Sequence, residues 1–287
     1  MGRSQACLAR SDEPFAVVDR ERGYGRLRLG FFDGEQRVVA GRLTQLSLRG
    51  LQHVQALALH STEEVAGRLY AWNRLPASAW RRIDAEPALI AAKAASVAGK
   101  NWIQISAGPP LTHWCVWRPA GGHAAPSGRI WKVYVSPHPG DLAEAICAAL
   151  SACEGLPVVS LKYGADADGM LRPDKLVVHL STLEAVHLLA SRILSRLEGC
   201  RIHGAPYTAE FGGDGLISWG CDPPVGSVAA RSAPSWRTWV TRQLAEGLAQ
   251  RTLSDIEPSE VTLNFIERAG VDPKTWAPAP DLWKPAD

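Results

Sequence analysis

The 287-residue chain carries a formal net charge of +2, with 46% hydrophobic and 21% charged residues, a balance that builds a globular core and excludes a disordered chain or an overall polyanion binder. Its six cysteines (Cys7, Cys115, Cys147, Cys153, Cys200, Cys221) form no C-x-x-C pair, so neither a disulfide framework nor a zinc site is expected. Residues 1–20 lack the apolar core of a signal peptide and no apolar run reaches the length of a membrane span, so a cytoplasmic protein with no membrane and no nucleic-acid partner is expected.

Residues 1–20 read as an extension. Gly25 to Gly41 reads as short strands around Leu27-Arg28-Leu29 and Val38-Val39, separated by Phe32-Asp33-Gly34, whose Asp-Gly is a hairpin signal. From Leu43 the apolar spacing turns helical, and Ser61-Thr62-Glu63-Glu64 opens a second helix, because a hydroxyl can accept the first free amides. Pro87 starts another, followed by the helix formers Ala-Leu-Ile-Ala-Ala-Lys-Ala-Ala. Gly108-Pro109-Pro110 breaks the chain before a short aromatic strand at His113 to Trp117, and the Gly/Ala/Pro stretch at 120–128 reads as a linker.

Beyond it the pattern is regular. Strand Ile130 to Ser136 is followed by helix 142–153, strand Val158 to Tyr163, a polar loop, strand Lys175 to Leu180, a helix capped by Ser181 or Thr182, and a last strand at Leu216 to Trp219. That order, βαββαβ, predicts an α+β fold with a split βαβ, mostly antiparallel sheet and helices on one face. The expected division is a mainly helical region over 1–120, an α+β domain over 129–224, and over 225–287 a C-terminal extension of helices and a Trp/Pro-rich tail packed on the body. Gly212-Gly213-Asp214-Gly215 reads as a hairpin turn rather than a nucleotide loop.

Lys132 and Tyr134 lie two apart in Trp131-Lys132-Val133-Tyr134-Val135-Ser136, and the period of a strand puts both on one face. Lys162 ends the next strand, and Arg172 and Lys175 bracket the entry to the one after. Together they suggest a phosphate site containing a base. His179 alternates with buried valines and reads as a half-buried histidine rather than a ligand, and the histidines share no metal spacing.

Trp131 to Ser136, Lys162, the Arg172 to Leu180 segment and Gly204-Ala205-Pro206-Tyr207 resemble the ordered landmarks of phosphothreonine/phosphoserine lyase domains, found in lanthipeptide synthetases, type III effector lyases and HopA1-like proteins. The resemblance spans about residues 129–224. It implies elimination of phosphate from phosphorylated Ser or Thr in a ribosomally made peptide, leaving a dehydroamino acid, with no cofactor and no metal. It makes Lys162 the base, Tyr134 the acid, Lys132 a phosphate contact, and Arg172 and Lys175 further phosphate or backbone contacts; Tyr207, Trp131 and Trp219 are the expected substrate contacts. Tyr134 stands where lanthipeptide-type lyases place a histidine, and Ser218-Trp219-Gly220 stands where an arginine is expected. The chain has no kinase motifs, so its partners would be a phosphorylated precursor peptide and a separate kinase-like protein. The alternatives are a non-catalytic phosphopeptide- or peptide-binding module and a partner subunit of a peptide-modifying kinase.

Overall fold

The computed structural model describes residues 41–57, 59, 61–83, 86–105, 113–122, 129–224, 227–250 and 258–283. The strands expected between Gly25 and Val39 lie outside the described residues.

Among the described residues four helices come first, α1 (Arg42–Ala56), α2 (Thr62–Ala71), α3 (Ala77–Trp80) and α4 (Pro87–Ala98). The Ser61 side chain accepts from the Glu64 amide at the start of α2, and Pro87 occupies the first turn of α4, where its missing N–H costs nothing. Strands β1 (Trp102–Ile105), β2 (Trp114–Pro119) and β3 (Trp131–Val135) follow, then α5 (Leu142–Ala152), β4 (Val158–Gly164), α6 (Ala167–Met170), β5 (Leu176–Leu180) and α7 (Leu183–Leu194). Thr182 caps α7, which ends at Leu194 with Ser195 as its C-cap, and Gly199 adopts φ 78° in the turn that follows. The remaining elements are β6 (Ala209–Phe211), β7 (Ile217–Cys221), α8 (Val228–Ser232), α9 (Trp236–Ala249) and α10 (Pro258–Arg268).

The seven strands among the described residues form one antiparallel sheet in the order β1-β2-β4-β5-β3-β7-β6. The α+β class and the split βαβ arrangement are as the sequence predicts. Strands β1 and β2 lie before the Gly/Ala/Pro stretch at 120–128 and nevertheless pair into this sheet, so it crosses the expected boundary; residues 40–287 form one compact unit. The turn at 212–215 joins β6 to β7, with Gly212, Gly213 and Gly215 at φ 89°, 82° and 85°, values that favour glycine.

Helices cover both faces. Trp131, Val133 and Val135 of β3 join Ile146, Ala149, Val186, Leu189 and Ile193 of α5 and α7 in one core, while Tyr134 and Val177 belong to a second core with Leu51, Leu69, Trp236, Trp239 and Leu244 from α1, α2 and α9. Every residue of β3 is buried as a result, and each fully buried aliphatic side chain there contributes roughly 1.5–3 kcal/mol. The Trp/Pro-rich tail closes the second core: Trp276 is fully buried edge-on to Tyr207 at 5.4 Å, and Trp283 meets Trp239 edge-on at 4.9 Å. Gly220 of β7 lies directly beneath the Trp236 ring, so that a Cβ there would collide with it. Gly220→Ala should therefore destabilise the fold by about 1–3 kcal/mol through overpacking, read as a lower urea midpoint with an unchanged slope; a midpoint equal to wild type would show that the indole can move aside.

Candidate active site

Directly opposed residues in an antiparallel sheet project to the same face. Ser218, Tyr134, Val177, Lys162 and Val116 make one such row across β7, β3, β5, β4 and β2. Gly220, Lys132, His179 and Ser160 make the next. Helix α9 covers the β3 and β7 end of these rows, whereas Val116, Ser160, Lys162 and His179 are only half-buried and Arg118 is exposed. The face therefore opens to solvent over β4 and β2.

Trp114 lies two residues before Val116, so it shares this face. Lys162 Nζ sits 4.5 Å from its ring centroid, and the Arg172 guanidinium is 5.2 Å from the same ring. Burial, then the positive charges of Lys132 and Arg172, push the Lys162 amine down to about 8 against the opposing pull of Asp174 and Asp222. The indole face favours the charged form and offsets part of this. Competitive acylation across a pH series should show Lys162 titrating near 8, below the exposed lysines; an unshifted titration would contradict this electrostatic picture.

Two carboxylates organise the cations. Lys132 Nζ is 2.7 Å from Asp222 Oδ2, and Asp222 Oδ1 accepts from the Trp236 amide at the start of α9. Asp174 receives Arg172 through Nε and Nη2 at 2.9 and 3.0 Å, and Arg237 Nη1 lies 3.0 Å from Asp174 Oδ2. The Tyr70 hydroxyl donates to Asp174 at 3.3 Å and accepts from Arg172 at 2.6 Å. Arg237 is 1% exposed and also donates to the Pro206 and Tyr70 carbonyls, so it anchors Asp174 rather than facing solvent. Burial, followed by the Asp222 charge, raises the Tyr134 hydroxyl well above the usual phenol range despite the opposing influence of Arg237.

The structure thus brings Lys132, Tyr134, Lys162 and Arg172 together. Lys175 is placed elsewhere: it is fully buried, with Nζ 2.9 Å from the Pro137 carbonyl and 2.6 Å from His203 Nδ1. His203 Nε2 meets the Asn73 carbonyl at 2.6 Å; a carbonyl only accepts, so Nε2 carries the proton and Nδ1 accepts from Lys175. Burial drives the Lys175 amine well below its ordinary value, and a neutral amine has two N–H donors, both satisfied here. Lys175 is a tie between β5 and the segments at Pro137 and His203.

The aromatic residues expected to touch substrate are also displaced from this face. Trp131 and Trp219 point to the opposite side, packed 5.8 Å apart with His187 near Trp219. Tyr207 is fully buried at φ 62°, its amide donating to Ser47 Oγ at 2.8 Å. Conversely, Trp114, Tyr70, Asp222 and Arg237 enter the site with no local signal in the sequence, and Asp174 is the shared anion of two arginines. No group of three or more potential metal ligands and no helix long and apolar enough to cross a membrane occurs among the described residues. The five cysteines there are free thiols.

The sequence matches no protein-family model and no curated protein. Among solved structures, the chain is similar to an effector protein from Pseudomonas syringae pv. tomato strain DC3000, at 9% identity and TM-score 0.53 over 83% of this chain and 98% of that one. An effector protein from Pseudomonas syringae pv. syringae strain 61 aligns at 13% identity and TM-score 0.52 over 83% and 99%. The type III effector/phosphothreonine lyase OspF from Shigella flexneri aligns more distantly, at 12% identity and TM-score 0.34 over 51% and 81%. The two Pseudomonas effectors share the fold of this chain across nearly their whole length.

Proposed function

We propose that the chain is a lyase-like protein that eliminates phosphate from phosphorylated Ser or Thr in a ribosomally made peptide. The observation that carries this reading is the meeting of Lys132, Lys162 and Arg172 on one half-open face, with the Lys162 amine lowered to about 8. An amine at that value is partly neutral near physiological pH and able to take the α proton. Fixed cations beside it stabilise the charge that builds on the departing phosphate.

The cations have capacity to spare for an anion. An ammonium carries three donors, so Lys132 can keep Asp222 and still meet a phosphate oxygen. Arg172 turns Nε and Nη2 toward Asp174 and Tyr70, which leaves Nη1 for the substrate. Tyr134, with its hydroxyl proton held firmly, acts as a neutral hydrogen-bond donor to phosphate. The peptide reaches the site over β4 and β2, already phosphorylated by a separate kinase-like protein in the cytoplasm.

Incubation with phosphothreonine peptides tests the reading by mass: the expected result is loss of phosphoric acid from the peptide and release of inorganic phosphate. Tight binding of phosphopeptide with no change in its mass would instead identify a binding module. Neither binding nor turnover with any phosphopeptide would remove both.

A further inference from the structure

The elimination needs a proton for the leaving oxygen, and the residue at the expected acid position is poorly suited to give one. Burial and the nearby carboxylate Asp222 both hold the Tyr134 proton in place. A second titratable group lies on the same face and has no part in the roles above. His179 of β5 stands directly opposite Lys132 of β3 and opposite Ser160 of β4. It is two residues from Val177, which separates Tyr134 from Lys162 in the neighbouring row. His179 is thus flanked by the two lysines on the floor of the half-open face.

We propose that His179, oriented by Ser160, is the proton donor to the leaving phosphate. This inference rests on the lyase reading of the same site. The Ser160 Oγ lies 3.0 Å from His179 Nδ1, so the ring is held through Nδ1 and Nε2 is the atom presented to a ligand. The residue is half-buried rather than sealed, as a donor to an incoming group must be.

The electrostatics of the empty site and of the loaded site differ in sign. Without substrate, burial and then the charges of Lys132 and Lys162 keep His179 neutral, opposed by the Ser160 backbone. A phosphate dianion among the same lysines cancels both charges, and an adjacent anion favours imidazolium. Asp222, paired with Lys132, already supplies part of that compensation. Substrate binding therefore loads the proton that the reaction consumes.

Neutral Lys162 takes the Cα proton, the Cα–H electrons form the Cα=Cβ bond, and the Cβ–O bond breaks toward oxygen. That oxygen receives the Nε2 proton of His179, so the phosphate leaves as the hydrogen phosphate dianion. Lys162 ends as ammonium and His179 as neutral imidazole, and exchange with solvent restores both.

The test compares His179→Gln and Tyr134→Phe with the wild type, measuring kcat and phosphopeptide Kd separately. His179→Gln should lose about 10²–10⁴-fold in kcat, the range for a general acid, while Kd stays within a few fold; Tyr134→Phe should lose far less. On an O-sulfothreonine peptide, whose sulfate leaves without a proton, His179→Gln should match the wild type. Wild-type kcat retained in His179→Gln, equal losses on both peptides, no turnover of the sulfated peptide by either protein, or a dead Tyr134→Phe beside an active His179→Gln overturns the assignment alone. A wild type inert toward every phosphopeptide overturns the lyase reading and this inference with it.

Discussion

Lys162→Ala should reduce phosphate elimination by about 10²–10⁴-fold, the contribution typical of a positioned general base, while leaving the fold intact. The side chain is half-buried at the open end of the sheet, and its ammonium meets an indole face rather than a carboxylate, so its removal strands no buried partner. Phosphopeptide affinity should fall only modestly, because Lys132 and Arg172 remain. Lys162→Arg separates the base from the charge: the guanidinium keeps the positive field but stays protonated at any working pH, so it should bind phosphopeptide and fail to turn it over. Added methylamine should restore part of the Lys162→Ala rate in proportion to the free amine. Turnover by Lys162→Ala within a few fold of the wild type would remove Lys162 from the base role.

What the sequence discloses about this site follows its local periodicities. The alternation in Trp131 to Val135 places Lys132 and Tyr134 on one face, and the strand register bears this out. The same alternation places Trp131 and Val133 on the other face, away from the cations. Helix starts at Ser61 and Thr182 are legible because a cap is a bond between near neighbours. Lys175 is not, because the burial that lowers its amine and the partners His203 and Pro137 come only with the folded chain. Arg237 belongs to a helix whose amphipathic pattern says nothing of the Asp174 it meets across the fold. Strands β1 and β6 are too short for alternation to mark them: their place comes from pairing with β2 and β7. The cationic face is therefore half visible, as the residues that share a strand, and the carboxylates that pair with its cations appear only in three dimensions.

Asp174→Asn should be among the most destabilising single substitutions in the site, costing about 3–5 kcal/mol, the range for breaking a buried ion pair and leaving its partner uncompensated. Asp174 is 6% exposed, and its carboxylate accepts from Arg172 and Tyr70, with Arg237 also against Oδ2. The amide has the same shape but no charge, and its NH₂ group would face guanidinium donors. Arg237, at 1% exposure, cannot turn to water for compensation. The pH dependence carries a second signature. Burial opposes ionisation of Asp174, but Arg237 and Arg172 outweigh it and hold the carboxyl well below the usual range. A depressed folded-state value means that the unfolded chain binds the proton more readily. The contribution is therefore complete above the ordinary carboxylate value near pH 4 and fades as pH falls toward the depressed one. In urea titrations from pH 7 to pH 2, the gap between wild type and Asp174→Asn should be largest near neutrality and narrow through the acid limb. A gap that stayed constant would mean that the loss comes from packing rather than from the charge. Asp174→Asn together with Arg237→Leu, which removes the stranded cation, should recover part of the stability; a double variant no more stable than Asp174→Asn would show that Arg237 draws its support from the Pro206 and Tyr70 carbonyls instead.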